Sequence, residues 1–425
     1  MLRSLYSGIS GLHAHQQMMD VTGNNIANVN TVGFKASSVQ FQDTLSQMTA
    51  AAGAPQNGGA GTNPAQVGLG TRNAGITSNF SQGSAQTTGK AGDMMIQGDG
   101  FFISRRGNEE LYSRAGSFFF DANGTLATAT GEPVQGWTAD ANGDVNAAAN
   151  PGDIKMPLGK SLAPTVTSTL EMKGNLTYDL PEGVTDVTTV PPIEIPFKAF
   201  DKFGNPLNLS AHFTRDTDPS TGDPQTYTVT LTKSGQTTPV IAAGAKMSFT
   251  GGKPTTTDPL VFTGVNGGSG LDPNLGVDIT VDIKDLTMFH GLSEARVSDS
   301  NGSPAGTLAS LTYTVSDTGQ IIGAFSNGQK RVLGQVALAT FKNVNGLEKV
   351  GDSQWRSTVN SGLAQVGTAT SAGLGQVISG ALEMSNVDLA QEFTNLIIAQ
   401  RGFQANSRVI TTSDELLQEL VSMKR

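Results

Sequence analysis

Three groups of residues in this 425-residue chain have the types and spacing that chemistry uses. Asp140, Asn142 and Asp144 offer side-chain oxygens at alternate positions, as the start of a calcium loop does. The Glu that such a loop needs at its twelfth position is missing, and Asp-Ala-Asn-Gly-Asp is equally a hairpin turn. His13 and His15 are two residues apart, so on a helix they face different directions and do not close on one ion. Gly98-Asp99-Gly100 has the glycine content of a phosphate cradle. A cradle needs a helix N-terminus behind it, whereas Phe101-Phe102-Ile103 reads as strand. No Gly-x-Ser-x-Gly elbow is present, and cysteine is absent, which removes thiolate nucleophiles and thiolate metal sites. The expectation is therefore no catalytic residue, no metal site and no cofactor: not an enzyme.

The elements that would have to position such groups point to assembly instead. Leu5, Leu12, Met19 and Ile26 recur every seven residues, with Leu2 and Ile9 at the intervening step. Leu389, Leu396, Phe403, Ile410 and Leu417 repeat the beat near the other end, with Phe393 and Val421 alongside. Seven-residue spacing lays a narrow apolar stripe along a helix, and a narrow stripe needs a partner. The pattern predicts helices over residues 1 to about 28 and 376 to 424, rods of ~40 Å and ~70 Å at ~1.5 Å per residue. Polar Gln16, Asn386, Gln400, Ser407 and Asp414 fall on intervening heptad positions, where they would specify register at some cost in stability. Two amphipathic helices of one globular core would carry the same stripes.

The chain between is of another kind. Residues 23–35, Gly-Asn-Asn-Ile-Ala-Asn-Val-Asn-Thr-Val-Gly-Phe-Lys, predict a helix end and a shaped turn. Residues 50–66 hold nothing that could build a core, and 31–66 as a whole reads as linker and connecting segment. Phe101-Phe102-Ile103 and Phe118-Phe119-Phe120 are strands, the latter closed by an Asp121-Ala122-Asn123-Gly124 turn. Thr226–Thr232 and Val277–Ile283 alternate at period two, and Asp218-Pro219 and residues 267–270 mark turns between them. The order helix, β, different β, β, helix implies nesting. Residues 1–30 with 371–425 form an inner helical domain, 67–145 with 287–370 an inner β domain, and 146–286 an outer β domain inserted in it. The expected class is mainly β with terminal α-helices.

Composition narrows the function. Only 15% of residues are charged, well below the roughly 25% typical of soluble domains. A net charge of −9 argues against nucleic-acid binding by neutralisation of phosphates. No run of apolar residues is long enough to insert in a membrane, and the first residues lack the apolar core of a cleaved signal peptide. Export, if it occurs, would use another route.

The residues also carry a resemblance. Asn24 to Lys35 closely resembles the signature of bacterial flagellar rod and hook proteins, the carried residues being Asn24, Asn25, Ala27, Asn28, Thr31, Gly33, Phe34 and Lys35. Leu5-Tyr6-Ser7-Gly8-Ile9-Ser10-Gly11-Leu12, Ser385–Phe393 and Ile398–Ser407 are similar to the family's two ends. Gly98–Phe102 and Gly131–Trp137 are similar to its inner β domain. In length, in the large middle segment and in Phe200–Leu207 the chain resembles the hook members of the family more than its rod members. The alternatives are a distal rod protein of the same family or a secreted β-rich adhesin or hydrolase. The resemblance implies a helical homopolymer whose inner helices, pairing in coiled-coil fashion, line an export channel. That polymer is a curved hollow tube acting as a universal joint. The implied partners are other copies of the chain, a distal rod protein, a hook cap, hook–filament junction proteins and the flagellar type III export apparatus. The implied location is the extracellular flagellum.

Overall fold

The computed structural model describes residues 2–54, 60–140, 143–156, 161–180, 190–217, 225–234, 244–255, 258–262, 278–308 and 312–423. Ala141, Asn142, Val277 and the turns expected at Asp218-Pro219 and 267–270 lie outside the described residues. The protein is mainly β with one long helix at each end, α1 over Leu2–Ala27 and α2 over Leu389–Ser422. Helix α2 is shorter than expected, because residues 376–383 are not helical. Gln376–Ser379 pairs with Met94–Gln97 and Ala381–Glu383 with Ala85–Thr87, both antiparallel. Val377, Ile378, Ala381 and Leu382 supply apolar residues that either structure could use. The β partners, remote in sequence, decide.

The chain divides into two compact units, 1–157 with 312–323 and 332–425, and 158–311 with 324–331. In the first unit a six-stranded antiparallel sheet takes strands from both halves of the chain. Its order is Glu348–Gly351, Gln354–Arg356, Glu109–Ser113, Phe101–Arg106, Leu338–Thr340 and Gln365–Gly367. Phe101, Ile103, Tyr112, Trp137, Phe341 and Trp355 pack into one aromatic-rich core, with the Tyr112 and Phe341 rings edge to face at 4.8 Å. The Trp137 indole donates to the Ala149 carbonyl at 2.6 Å, so its one polar atom is satisfied. The Phe118–Phe120 strand pairs with Leu126–Thr128 across the expected turn, where Asp121 Oδ1 accepts from the Asn123 and Thr125 amides.

Residues 31–66, expected as connecting segment, carry paired strands. Ser37–Asp43 runs antiparallel to Thr71–Ser78, and Ser46–Ala50 to Ala65–Gly68. This two-stranded ribbon lies along α1: the Thr71 amide donates to Ser10 Oγ at 3.2 Å, and the Phe41 ring stands 5.9 Å from the His15 ring. A ribbon that packs mainly on a helix buries little, which is why its sequence lacks the dense apolar alternation of a core strand.

The second unit is a sandwich. One sheet is Ile193–Phe200, Pro206–Arg215, Gln225–Lys233, Ala245–Thr250 and Lys253–Pro254; the other is Leu260–Phe262, Ile279–Phe289, Thr169–Thr177 and Arg296–Ser300. Period-two alternation delivers Tyr227, Val229 and Leu231 from one sheet, and Ile279, Val281 and Ile283 from the other, to a shared core. Ile279–Phe289 runs parallel to Thr169–Thr177, and it passes through the expected boundary at 287. Arg215 is buried against Tyr227: Nε and Nη2 donate to the phenol at 3.1 and 2.8 Å, and Nη2 also to the Thr177 carbonyl at 2.6 Å. Phe249 is fully buried in this core, so Phe249→Ala should destabilise the second unit by ~3–5 kcal/mol. Chemical denaturation followed by hydrogen exchange should assign that loss to residues 161–308.

Candidate assembly site

Helices α1 and α2 pack antiparallel. Gly8 meets Asn406 and Ile410, Gly11 meets Asn406, His15 meets Gly402, and Asn25 Nδ2 donates to Glu392 Oε1 at 3.1 Å. The closest approach is made by glycines. A Cβ on Gly11 would stand 2.7 Å from Asn406 Oδ1, and one on Gly402 2.5 Å from the His15 ring. Ala14, Thr22, Asn25, Ala399 and Ser413 are buried along the same line. Leu5, Leu12, Met19 and Ile26 of α1, with Leu396, Phe403, Ile410 and Leu417 of α2, are half-buried beside it. The seam is thus small and polar at its centre, with the expected apolar residues as shoulders.

Several expected interface residues lie elsewhere within the single chain. Ile9 is 36%, Leu389 40% and Phe393 50% exposed. Phe393 follows Glu392, which faces α1, and one residue is ~100° of helix rotation. Leu389 is the first residue of α2, three residues before Glu392. The side chain of Leu2 lies outside the described residues. Gln16, Gln400 and Asp414 are exposed, Ser407 is half-buried, and Asn386 precedes α2. His15 and Asn406, which the heptad pattern does not single out, each face a glycine across the seam, and Asn25 bonds Glu392.

The Asn-rich signature forms the root of this pair. Asn24 and Ala27 are exposed on the last turn of α1, while Asn25 is buried. Besides its bond to Glu392, Asn25 pairs with the backbone of Ser37: Oδ1 accepts from the amide at 3.0 Å and Nδ2 donates to the carbonyl at 2.8 Å. One side chain thereby fixes α1, the ribbon and α2. Asn28 accepts from the Thr31 hydroxyl at 3.0 Å, closing the turn. Gly33 has φ of +66° and its amide donates to the Glu383 carbonyl at 2.7 Å. A Cβ there would lie 2.4 Å from the Ala115 amide, so only glycine fits. The Phe34 ring carries Lys349 Nζ at 5.0 Å, and burial lowers the pKa of that lysine.

Lys35 is completely buried. Its Nζ donates to Glu383 Oε1 at 2.6 Å and to the Ser81 carbonyl at 2.7 Å. Glu383 also accepts from the Gly83 amide at 2.9 Å and lies 3.4 Å from Arg114 Nη1. The Arg114 guanidinium in turn stands over the Phe101 ring at 5.3 Å. Burial pushes the Lys35 ammonium below the usual lysine range, although Glu383 opposes the shift. On the α2 side, Asn386 accepts from the Ala36 amide at 2.8 Å and donates to the Asn79 carbonyl at 2.8 Å. Asp388 caps α2, accepting from the Ala390 and Gln391 amides. Glu383, Arg114 and Asn386 were not legible as partners of Lys35 and Ala36, since each is remote in sequence.

This geometry is that of a chain-end helix pair rooted in a β body, and known proteins share the sequence that builds it. A family profile described as flagella basal body rod protein matches residues 5–35, and one described as flagellar basal body rod FlgEFG protein C-terminal matches 378–423. A third, flagellar hook protein FlgE/F/G D1 domain, matches 95–188. The flagellar hook protein FlgE of Borreliella burgdorferi is 39% identical over the whole of both chains, and that of Treponema pallidum 37%. The crystal structure of Helicobacter pylori flagellar hook protein FlgE2 aligns with a TM-score of 0.48 at 14% identity, covering 70% of this chain and all of that one. The chain belongs to the bacterial flagellar hook protein family.

Two substitutions test the site. Glu383→Leu strands two buried cations and should cost ~3–5 kcal/mol in unfolding by urea. Gly402→Val drives a branched side chain into the His15 ring and should remove protection of α1 amides from hydrogen exchange; unchanged protection would show that the helices do not pack at the glycines.

Proposed function

We propose that this chain is the structural subunit of a flagellar hook, polymerising through its terminal helices into a curved hollow tube. The observation that carries the reading is the face of the helix pair left uncovered. Tyr6, Ile9, Phe393, Ile397, Ile398, Leu416 and Leu420 are exposed and apolar on helices already paired with each other. Apolar area at ~25 cal/mol per Å² rewards covering that face, and other copies of the same chain are the natural cover. The expected interface residues Ile9, Leu389 and Phe393 are then contacts between subunits, while Leu5, Leu12, Met19, Ile26, Leu396, Phe403, Ile410 and Leu417 also hold the pair together.

As a joint, such a tube must be stiff in twist and soft in bending. The helices supply continuous apolar contact along the inside, around a channel through which further subunits pass. The outer sandwich meets its neighbours through faces rich in Thr, Ser and Gly, which exchange polar contacts at little cost as each subunit moves round the curve. The role is mechanical and not enzymatic. A rod protein and a cap at the tube's two ends, junction proteins towards the filament, type III export without signal-peptide cleavage, and an extracellular location complete the proposal.

Electron microscopy of the concentrated protein tests it, with tubes as the expected product. Deleting 1–28 and 387–425 keeps Lys35 and Glu383, and should abolish tubes while leaving a soluble, folded β body. Tubes formed by the truncated chain, or no assembly by the full chain, would overturn the reading.

A further inference from the structure

The loop between the Gln354–Arg356 and Gln365–Gly367 strands has its polarity reversed for a free surface. Ser361 is completely buried, whereas Val359 is fully exposed and Leu363 is 92% exposed. A buried polar residue beside exposed large apolar ones is the arrangement that asks for a reason. The loop is held in that form by its own bonds. The Thr358 hydroxyl donates to the Gly346 carbonyl at 2.6 Å, the Ser361 hydroxyl to the Thr358 carbonyl at 2.9 Å, and the Thr358 amide to Ser361 Oγ at 2.9 Å. Asn343 Nδ2 donates to the Asn360 carbonyl at 3.1 Å, and Gly362 turns the chain with φ of +77°. A Cβ on Gly346 would stand 2.7 Å from the Ser361 amide, so the base of the loop is packed down. Apolar side chains presented on a preorganised loop lose little entropy on docking.

A cavity of about 680 Å³ lies towards the other edge of the same sheet, between the exit turn of α1 and the turn at Gly351, Asp352 and Ser353. Val32, Phe34, Ala115 and Trp355 give it apolar walls, and Asn24 and Asn28 of the signature line it as well. Trp355 is 1% exposed, and its indole N–H has no acceptor among the described residues. A buried donor left in that state costs free energy that an incoming acceptor would recover. Register fixes where loop and cavity stand. Gln354, Ser113, Phe102, Leu338 and Gly367 form one row across the sheet, so its ends are four strand spacings, ~19 Å, apart. The turn at 351–353 and residues 363–366 lie on the same side of that row.

We propose that the loop of one copy seats Leu363 and Val359 in this cavity of a second copy standing beside it, a loop carbonyl taking up the Trp355 N–H. Loop and cavity occupy opposite edges of one sheet, so the contact runs head to tail. Each copy at the end of a row keeps a free loop or a free cavity, and the contact propagates where a reciprocal one would close as a dimer. The inference rests on the hook-subunit reading and adds a lateral contact between inner β units to the contacts of the helices.

The test uses the full-length chain. Val359→Asp with Leu363→Asp changes only exposed side chains, so urea unfolding should stay as it is while tube yield, counted by electron microscopy, falls by about tenfold or more. Thr130→Trp, at an exposed residue of the cavity wall, should block the contact from the other side with the same loss. Ser117→Cys with Leu363→Cys reports the contact directly, since Ser117 lines the cavity and the protein has no other cysteine. Within one copy these residues flank strands three spacings, ~14 Å, apart, beyond the reach of a disulfide. Between neighbours they should give a ladder of cross-linked multimers on oxidation, and neither single cysteine should. Aspartate variants that assemble normally, or oxidation that stops at monomer or dimer, would overturn the proposal. An unmodified chain that forms no tubes removes the hook reading instead. The cysteine pair oxidised at the same concentration then decides the contact alone, a ladder upholding it and monomer refuting it.

Discussion

Everything at the ends of this molecule depends on one desolvated ion pair. Lys35 and Glu383 are separated by 348 residues of chain and meet at 2.6 Å with no exposed side-chain surface. Burying two charges is costly, and the surroundings compensate through the Ser81 carbonyl, the Gly83 amide and Arg114. Such a network adds little net stability over an apolar plug of the same volume. What it adds is discrimination, since any other arrangement leaves a charge buried without a partner. The exit of α1 and the approach to α2 are thereby held at one point beside the Ala381–Glu383 strand, and Asn25 and Asn386 extend that hold to the ribbon and to both helices.

From that root the helices run out with their tightest contact reserved for each other and their outer surfaces free. Glycine on both helices lets the backbones come close, so the contact needs few large side chains. The larger apolar residues are then divided between shoulders of the seam and the outer face. A helix that spent all its leucines on the intrachain partner would have nothing with which to hold a neighbour.

The second unit solves a different problem. Its core is deep and apolar, and the outermost strand of its larger sheet, Ile193–Phe200, contains Pro196. Proline has no amide to offer a neighbouring strand, so this edge resists sheet extension between copies. That protection leaves side chains, which can exchange, and not a backbone ladder, as what this edge offers another chain.

The terminal helices, the strand-forming alternation at Gln225–Lys233, the Asp121–Gly124 turn and the special conformation around Gly33 were all legible in the sequence, because each depends on residues close together in the chain. Periodicity of 3.6 or 2 and the chemistry of Asn, Asp and Gly act over a few residues and need no distant partner. The ribbon, the β fate of 376–383, the ion pair at Lys35 and the choice of which stripe faces inward were not. A heptad pattern states that a helix has an apolar side; it does not say whether glycines on another side come closer to the partner. Strands from 94–97 captured residues 376–379, and Glu383 found Lys35, only once the tertiary fold had brought the two ends of the chain together. Local preference settled the elements, and long-range packing and desolvation decided which faces and charges they would share.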